Sequence, residues 1–130
     1  MTSQTVTGLG LQYTDDNKYS YGYSGVIAFN NTASTLLEFK TQSEYNIVDM
    51  LYMRHDSDSL DSKHKVYFND ILVISLPLSS GGQDRQSVTS FVIPPFTSVK
   101  IDIENVSNTS SGSGMVALTG KIGMAPRVGN

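Results

Sequence analysis

Two stretches of this chain hold residue types that could support chemistry, and the first is the polar segment 55–64. Its ionisable side chains are His55, Asp56, Asp58, Asp61, Lys63 and His64. Clustered carboxylate oxygens bind hard cations, so a calcium site at Asp56, Asp58 and Asp61 is one interpretation. The match is poor, because Leu60 stands where a third alternating ligand belongs and no glycine provides the tight bend. Asp and Ser also hydrogen-bond their own backbone in ordinary loops, so we favour a solvated loop and expect no metal.

The second stretch is a run of tyrosines near the N-terminus. Tyr19, Tyr21 and Tyr23 alternate with Ser20 and Gly22. In an extended segment this spacing places three phenol rings on one face. Tyrosine offers a large rigid area with a polar tip, which suits a protein interface or a platform for sugar. A half-exposed strand whose rings cover a sheet edge is the third interpretation, and the residues alone leave the three open.

The sequence contains no comparable pattern that is typical of a catalytic site. The chain has no cysteine and no Gly-x-Ser-x-Gly elbow, so neither thiolate chemistry nor a serine hydrolase is indicated. A glycosidase needs two carboxylates that converge on a cleft, and the acids here show no such pairing in the sequence. We therefore expect no enzyme, no catalytic residue and no cofactor.

The charge and hydropathy of the chain limit its partners. The net charge is −3, and the lysines and arginines do not cluster, which argues against a nucleic-acid partner. No apolar run approaches the roughly 20 residues of a membrane span, and the N-terminus lacks the pattern of a secretory signal. We expect a soluble protein made in the cytoplasm that contacts no membrane.

The element that organises the rest of the chain is a hairpin within Lys63–Leu78. Two apolar runs, Val66–Phe68 and Ile71–Leu76, are separated by Asn69 and Asp70. Both runs are rich in β-branched and aromatic residues, and Asn and Asp tolerate the positive φ of a tight primed turn. We expect two antiparallel strands here.

Further strands are predicted at roughly even spacing, with no convincing helix. A helix over Ile47–Met53 is the main competitor to a strand there, because a strand puts Asp49 among apolar side chains unless it lies at an edge or a bulge. The clearest alternation is Val99, Ile101 and Ile103 against charged neighbours. The other predicted strands are 9–13, 19–29, 35–41, 45–54, 88–93 and 115–122. The sequence thus predicts one all-β domain over 1–130, an antiparallel β-sandwich of jelly-roll type with about eight strands. Short flexible arms are expected at about 1–8 and 124–130.

The second half of the chain resembles a family of viral proteins. The resemblance runs from about Val66 to Gly123: the hairpin, a polar loop, a strand that ends in Val92-Ile93-Pro94-Pro95-Phe96, and a last strand Val116–Ile122. This order is similar to the small jelly-roll decoration (cement) proteins and head or tail accessory proteins of tailed phages. The resemblance implies a non-enzymatic virion protein that binds a major capsid protein or another virion protein as a homotrimer.

Two hypotheses follow from the sequence. In the first, the chain stabilises a capsid surface, with an interface formed by Tyr19, Tyr21, Tyr23, Pro94, Pro95 and Phe96. In the second, it is a carbohydrate- or receptor-binding module, for example of a tail or fibre, with the tyrosines as the platform.

Overall fold

The computed structural model describes residues 11–13, 18–29, 33–55, 62–78, 84–105 and 112–124. These residues form ten β-strands and no helix, so none of the described segments contains a helix able to cross a membrane. The strands are β1 (Leu11–Tyr13), β2 (Tyr19–Tyr23), β3 (Ile27–Phe29), β4 (Ser34–Lys40), β5 (Glu44–His55), β6 (Ser62–Phe68), β7 (Ile71–Leu78), β8 (Asp84–Ile93), β9 (Ser98–Asn105) and β10 (Gly112–Met124).

The strands form two sheets whose order is that of a jelly roll. Sheet 1 has the order β1-β2-β10-β5-β8, with β3 also paired to β10, and sheet 2 has the order β4-β9-β6-β7. All strand pairs are antiparallel. From β4 onward each strand joins the opposite sheet from the one before it, except across the β6–β7 hairpin. The predicted fold class is therefore confirmed.

The hairpin at the centre of the prediction is present. Phe68 pairs with Ile71, and Asn69 and Asp70 have φ values of 52° and 68°. Two consecutive positive φ angles define the primed turn that matches strand twist. The turn is also tied to β9, because the Asn69 amide donates to the Ser98 carbonyl and the Ser98 amide donates to the Asn69 side chain. Strand β7 includes Pro77 and ends at Leu78, two residues beyond the apolar run Ile71–Leu76 from which it was predicted.

The core lies between the two sheets and draws on both halves of the chain. Its largest fully buried apolar side chains include Leu36, Leu37, Met50, Ile101 and Leu118. The alternation of β9 puts Val99, Ile101 and Ile103 inside, as predicted. Burial of a side chain of this size is worth about 1.5–3 kcal/mol, so the inward faces of the strands supply most of the stability.

Two details of the strands differ from simple alternation along the sequence. Alternation would put Leu36 and Leu37 on opposite faces of β4, but a register shift between Thr35 and Leu37 turns both leucines inward. Asp49 needs neither an edge nor a bulge, because β5 pairs regularly with β10 and β8 on either side. Its carboxylate points outward and accepts a hydrogen bond of 2.6 Å from the Ser90 hydroxyl. The helical alternative for this segment is excluded.

Several boundaries also differ from the prediction. The segment 19–29 was expected to be one strand, but Ser24–Val26 separates β2 from β3, and Gly25 has φ +76°. Strand β8 begins at Asp84 and β10 at Gly112, both within stretches predicted as loops. Strand β10 ends at Met124, the residue at which the C-terminal arm was expected to begin. The expected N-terminal arm lies outside the described residues.

Candidate functional site

The three tyrosines share one face, as their spacing predicts. Along β2, Tyr19 and Tyr21 are about half exposed, and Ser20 between them is buried. Their rings project from the outer surface of sheet 1, away from the core. The alternation arises because successive side chains of a strand point to opposite sides of the sheet.

The strand register extends this face across the sheet in three rows. Residues that are paired across antiparallel strands point the same way, so the rows read directly from the pairing of β2, β10, β5 and β8. The rows are Tyr19-Lys121-Ile47-Val92, Tyr21-Thr119-Asp49-Ser90 and Tyr23-Ala117-Leu51-Val88. We call these twelve residues the tyrosine face. Only Asp49 and Lys121 among the twelve carry a charge.

The outer surface of sheet 2 has the opposite character. Its rows hold six charged residues among eleven positions, in the order Glu38-Lys100-Tyr67-Leu72, Thr35-Asp102-Lys65-Ser75 and Glu104-Lys63-Pro77. The Lys65 ammonium lies 3.0 Å from the Glu104 carboxylate, a hydrogen bond that raises the pKa of Lys65. The Lys100 ammonium lies over the Tyr67 ring, 5.2 Å from its centre. Five of the six charged side chains are partly exposed, and Asp102 is buried.

Apolar side chains of the tyrosine face are exposed, as are those of Ile71, Leu72 and Val73 in β7 of sheet 2. Val88 is 61% exposed, Val92 51% and Ile47 47%. Depletion of charge with enrichment of tyrosine and aliphatic residues is typical of the centre of a protein interface. Contiguous apolar patches on soluble monomers mark interaction sites. The sequence analysis found the tyrosines but missed the contributions of β5, β8 and β10, because cross-strand register is not visible in one sequence.

The sheet beneath the tyrosines is held rigidly. The Ser20 hydroxyl donates to the Asn46 side-chain oxygen at 2.8 Å, and both residues are buried. Gly120 pairs with Ser20 of β2 on one side and with Val48 of β5 on the other. A Cβ at position 120 would overlap the Ser20 hydroxyl and come within 3.0 Å of Val48. The glycine therefore permits the close approach that fixes the tyrosine-bearing strand.

An open depression of about 360 Å³ lies at one end of the tyrosine face. It is lined by Tyr19, Ile47, Asp49, Thr119, Gly120 and Lys121. The set combines one aromatic ring, one aliphatic side chain, a carboxylate, a hydroxyl and an ammonium group. This mixture of groups suits reversible binding of a polar organic ligand.

The corner Pro94–Phe96 lies elsewhere, at the end of the sandwich between β8 and β9. Phe96 is 65% exposed and has φ +54°, a backbone conformation that costs a non-glycine residue roughly 1–2 kcal/mol. The corner is clamped to the turn after β4: the Phe96 amide donates to the Gln42 carbonyl at 2.7 Å, and the Thr41 hydroxyl donates to the Pro94 carbonyl at 2.7 Å. The structure thus presents Phe96 on a rigid backbone, apart from the tyrosines.

The histidine that ends segment 55–64 is not a surface ligand. His64 is fully buried, and its ring lies 5.1 Å from that of Tyr52. Burial lowers the pKa of His64 to about 4, against a smaller opposing effect of the Met115 backbone. Burial raises the pKa of Asp102, on the next strand of sheet 2. His64 is therefore neutral at pH 7 and belongs to the core.

The suggested cation ligands Asp56, Asp58 and Asp61 lie outside the described residues. Within the described part of the chain, no three His, Asp or Glu side chains are grouped so that they could hold a metal ion.

Comparison with known proteins shows the fold. No family model and no curated protein matches this chain. Among solved structures, the VP2 subviral particle of infectious bursal disease virus aligns with 92% of this chain at a TM-score of 0.53 and 18% identity. A chain from the Gx strain of the same virus aligns with 95% of this chain at a TM-score of 0.51 and 16% identity. This chain spans 38% of the length of each of those capsid chains.

A third similar structure comes from bacterial surface fibres. A chain from the endospore appendages of Bacillus, described as disulfide-linked pili, aligns with 83% of this chain at a TM-score of 0.50 and 14% identity. The alignment covers 90% of that chain. At these identities the three structures share the β-sandwich with this chain and establish nothing about its partners.

Proposed function

We propose that this chain is a non-enzymatic virion structural protein, a capsid decoration protein that attaches to a shell through its tyrosine face and acts as a homotrimer. Its partner is the major capsid protein or another virion protein, and its location is the virion. No catalytic residue and no cofactor enter this proposal.

One observation carries the proposal, namely the contrast between the two outer surfaces of the sandwich. A protein that faces water on both sides has no need of an exposed aliphatic and aromatic surface on one of them. The three outer rows given for sheet 2 hold six charged residues, and the three rows of the tyrosine face hold two. The tyrosine face, which has fewer charges, is the side that gains free energy when another protein covers it.

Two further features support assembly. Two of the chains that share this fold come from particles of a virus, which is consistent with a virion role for this sandwich. The clamped Phe96 offers a second apolar contact on a backbone that does not need to be ordered on binding, and pre-ordering reduces the entropy cost of association.

The proposal is tested by sedimentation with purified shells of the virus that encodes the chain. The parent protein is expected to be a trimer at micromolar concentration and to co-sediment with the shells. Tyr21→Ala removes a central ring of the face and is expected to weaken binding by roughly 30-fold, the effect of a loss of about 2 kcal/mol. Tyr67→Ala, which removes the same ring from the outer surface of sheet 2, is the matched control and should bind normally.

A monomer without affinity for shells would contradict the proposal. An equal loss for Tyr21→Ala and Tyr67→Ala would contradict the choice of face. Circular dichroism of both variants checks that each retains the fold.

A further inference from the structure

We propose that the depression beside Tyr19 is a binding site for a neutral saccharide. This inference does not depend on the capsid role, although the site lies on the same face. It rests on the combination of groups that the register of β2, β10 and β5 brings together.

The apolar part of the site fits the less polar side of a sugar ring. Tyr19 and Ile47 flank Lys121 in the first row of the face, and both are about half exposed. A pyranose presents a face of C–H groups that packs on an aromatic ring, whose negative π surface attracts the polarised hydrogens. The half-exposed ring of Tyr19 is placed for this contact.

The polar part supplies both donors and an acceptor for hydroxyl groups. Asp49 and Thr119 are directly paired across β5 and β10, and Lys121 lies one row away. The Ser90 hydroxyl holds one carboxylate oxygen of Asp49 at 2.6 Å, so the carboxylate is oriented before a ligand arrives. No described residue forms an ion pair with Lys121. A sugar hydroxyl both donates and accepts, so it satisfies a carboxylate and an ammonium group at once.

The depression contains one carboxylate, Asp49, and one ammonium group, Lys121, so its lining has no net charge and matches a ligand without net charge. The volume of about 360 Å³ falls at the lower end of the range for small-molecule sites, which suits one or two sugar rings. Gly120 fixes the floor, because its close packing on Ser20 prevents the strands from shifting.

The experiment uses the full chain on an array that carries neutral oligosaccharides of hexoses and N-acetylhexosamines together with sulfated and sialylated glycans. The strongest neutral glycan is then titrated by nuclear magnetic resonance. We expect binding to neutral glycans, with shifts at β2, β5 and β10. Tyr19→Ala should weaken it by about tenfold or more, as expected when a central aromatic contact is lost. Lys121→Gln should weaken it less, and Tyr67→Ala should leave it unchanged.

A blank array, binding to anionic glycans alone, or parental affinity in Tyr19→Ala would overturn the proposal. A loss of glycan affinity in Tyr67→Ala equal to that in Tyr19→Ala would overturn the proposal as well. Tyr19→Phe keeps the ring and guards against a folding artefact, so it should retain most of the affinity. Val88→Ser lies in the third row, far from the depression, and should affect shell binding but not the glycan. Failure of one function is thereby distinguishable from failure of the other.

Discussion

Acid should destabilise this protein through a single histidine, and the size of the effect follows from the structure. His64 is fully buried between the sheets, and burial lowers its pKa from 6.5 to about 4. Between these values the unfolded chain binds a proton that the folded chain does not bind. Stability is therefore fully present above about pH 6.5 and falls as the pH falls toward 4.

The expected loss is large relative to the stability of a small domain. The two pKa values differ by about 2.5, and each unit corresponds to about 1.4 kcal/mol, so the full effect is about 3.5 kcal/mol and about 2.5 kcal/mol is already lost at pH 4.5. A domain of this size is typically stable by only about 5–15 kcal/mol. Asp102 acts in the opposite sense, because its raised pKa favours the protonated folded form.

The assay is urea unfolding followed by circular dichroism, from about pH 7 down to about pH 4.5, for the parent and for His64→Leu. Leucine fills the buried site without a titrating group, and all other ionisable groups are common to both proteins. The difference between the two pH profiles therefore isolates the histidine. We expect the parent to lose about 2.5 kcal/mol more than the variant over this range. Parallel profiles would refute the assignment of His64 as a buried neutral base.

Three other substitutions test the fold at positions where the backbone is constrained. Gly120→Ala should lower the free energy of unfolding by about 1–3 kcal/mol, because the new Cβ overlaps the Ser20 hydroxyl, and thermal unfolding measures the loss. Asp70→Gly should raise that free energy by about 0.5 kcal/mol by relieving a positive φ, whereas Asn69→Ala should lower it by about 1 kcal/mol through its lost bond to Ser98. An unchanged Asn69→Ala would show that the turn does not depend on this bond. Phe96→Gly should be as stable as the parent or up to about 1 kcal/mol more stable, since φ +54° suits glycine, and a marked loss would show that the ring supports the fold.

Local patterns in the sequence were sufficient to predict the fold class and much of the strand content. The Asn69-Asp70 turn and the alternation in β9 depend on neighbours along the chain, so one sequence reveals them. The bulge that buries Leu36 and the close packing at Gly120 depend on strands far away in the sequence. Such long-range pairing leaves no local pattern, and both features were missed.

The candidate site, too, was predictable where it depends on neighbouring residues and not where it depends on distant strands. The spacing of the tyrosines correctly placed them on one face. The other residues of the tyrosine face lie beside the tyrosines only because β2, β10, β5 and β8 are neighbours in sheet 1. They include Val88, Val92, Ile47 and Lys121. Asp49 looked anomalous within its own strand, and it became understandable once the outer surface of sheet 1 was known to be exposed.

The central claim is that the outer surface of sheet 1 contacts the shell and the outer surface of sheet 2 remains in water. Hydroxyl-radical footprinting of the protein, free and bound to shells, measures this directly through the labelling of Tyr21 and Tyr67. The account predicts that binding to the shell strongly reduces labelling of Tyr21 and leaves labelling of Tyr67 unchanged. Protection of Tyr67 with undiminished labelling of Tyr21 would contradict it.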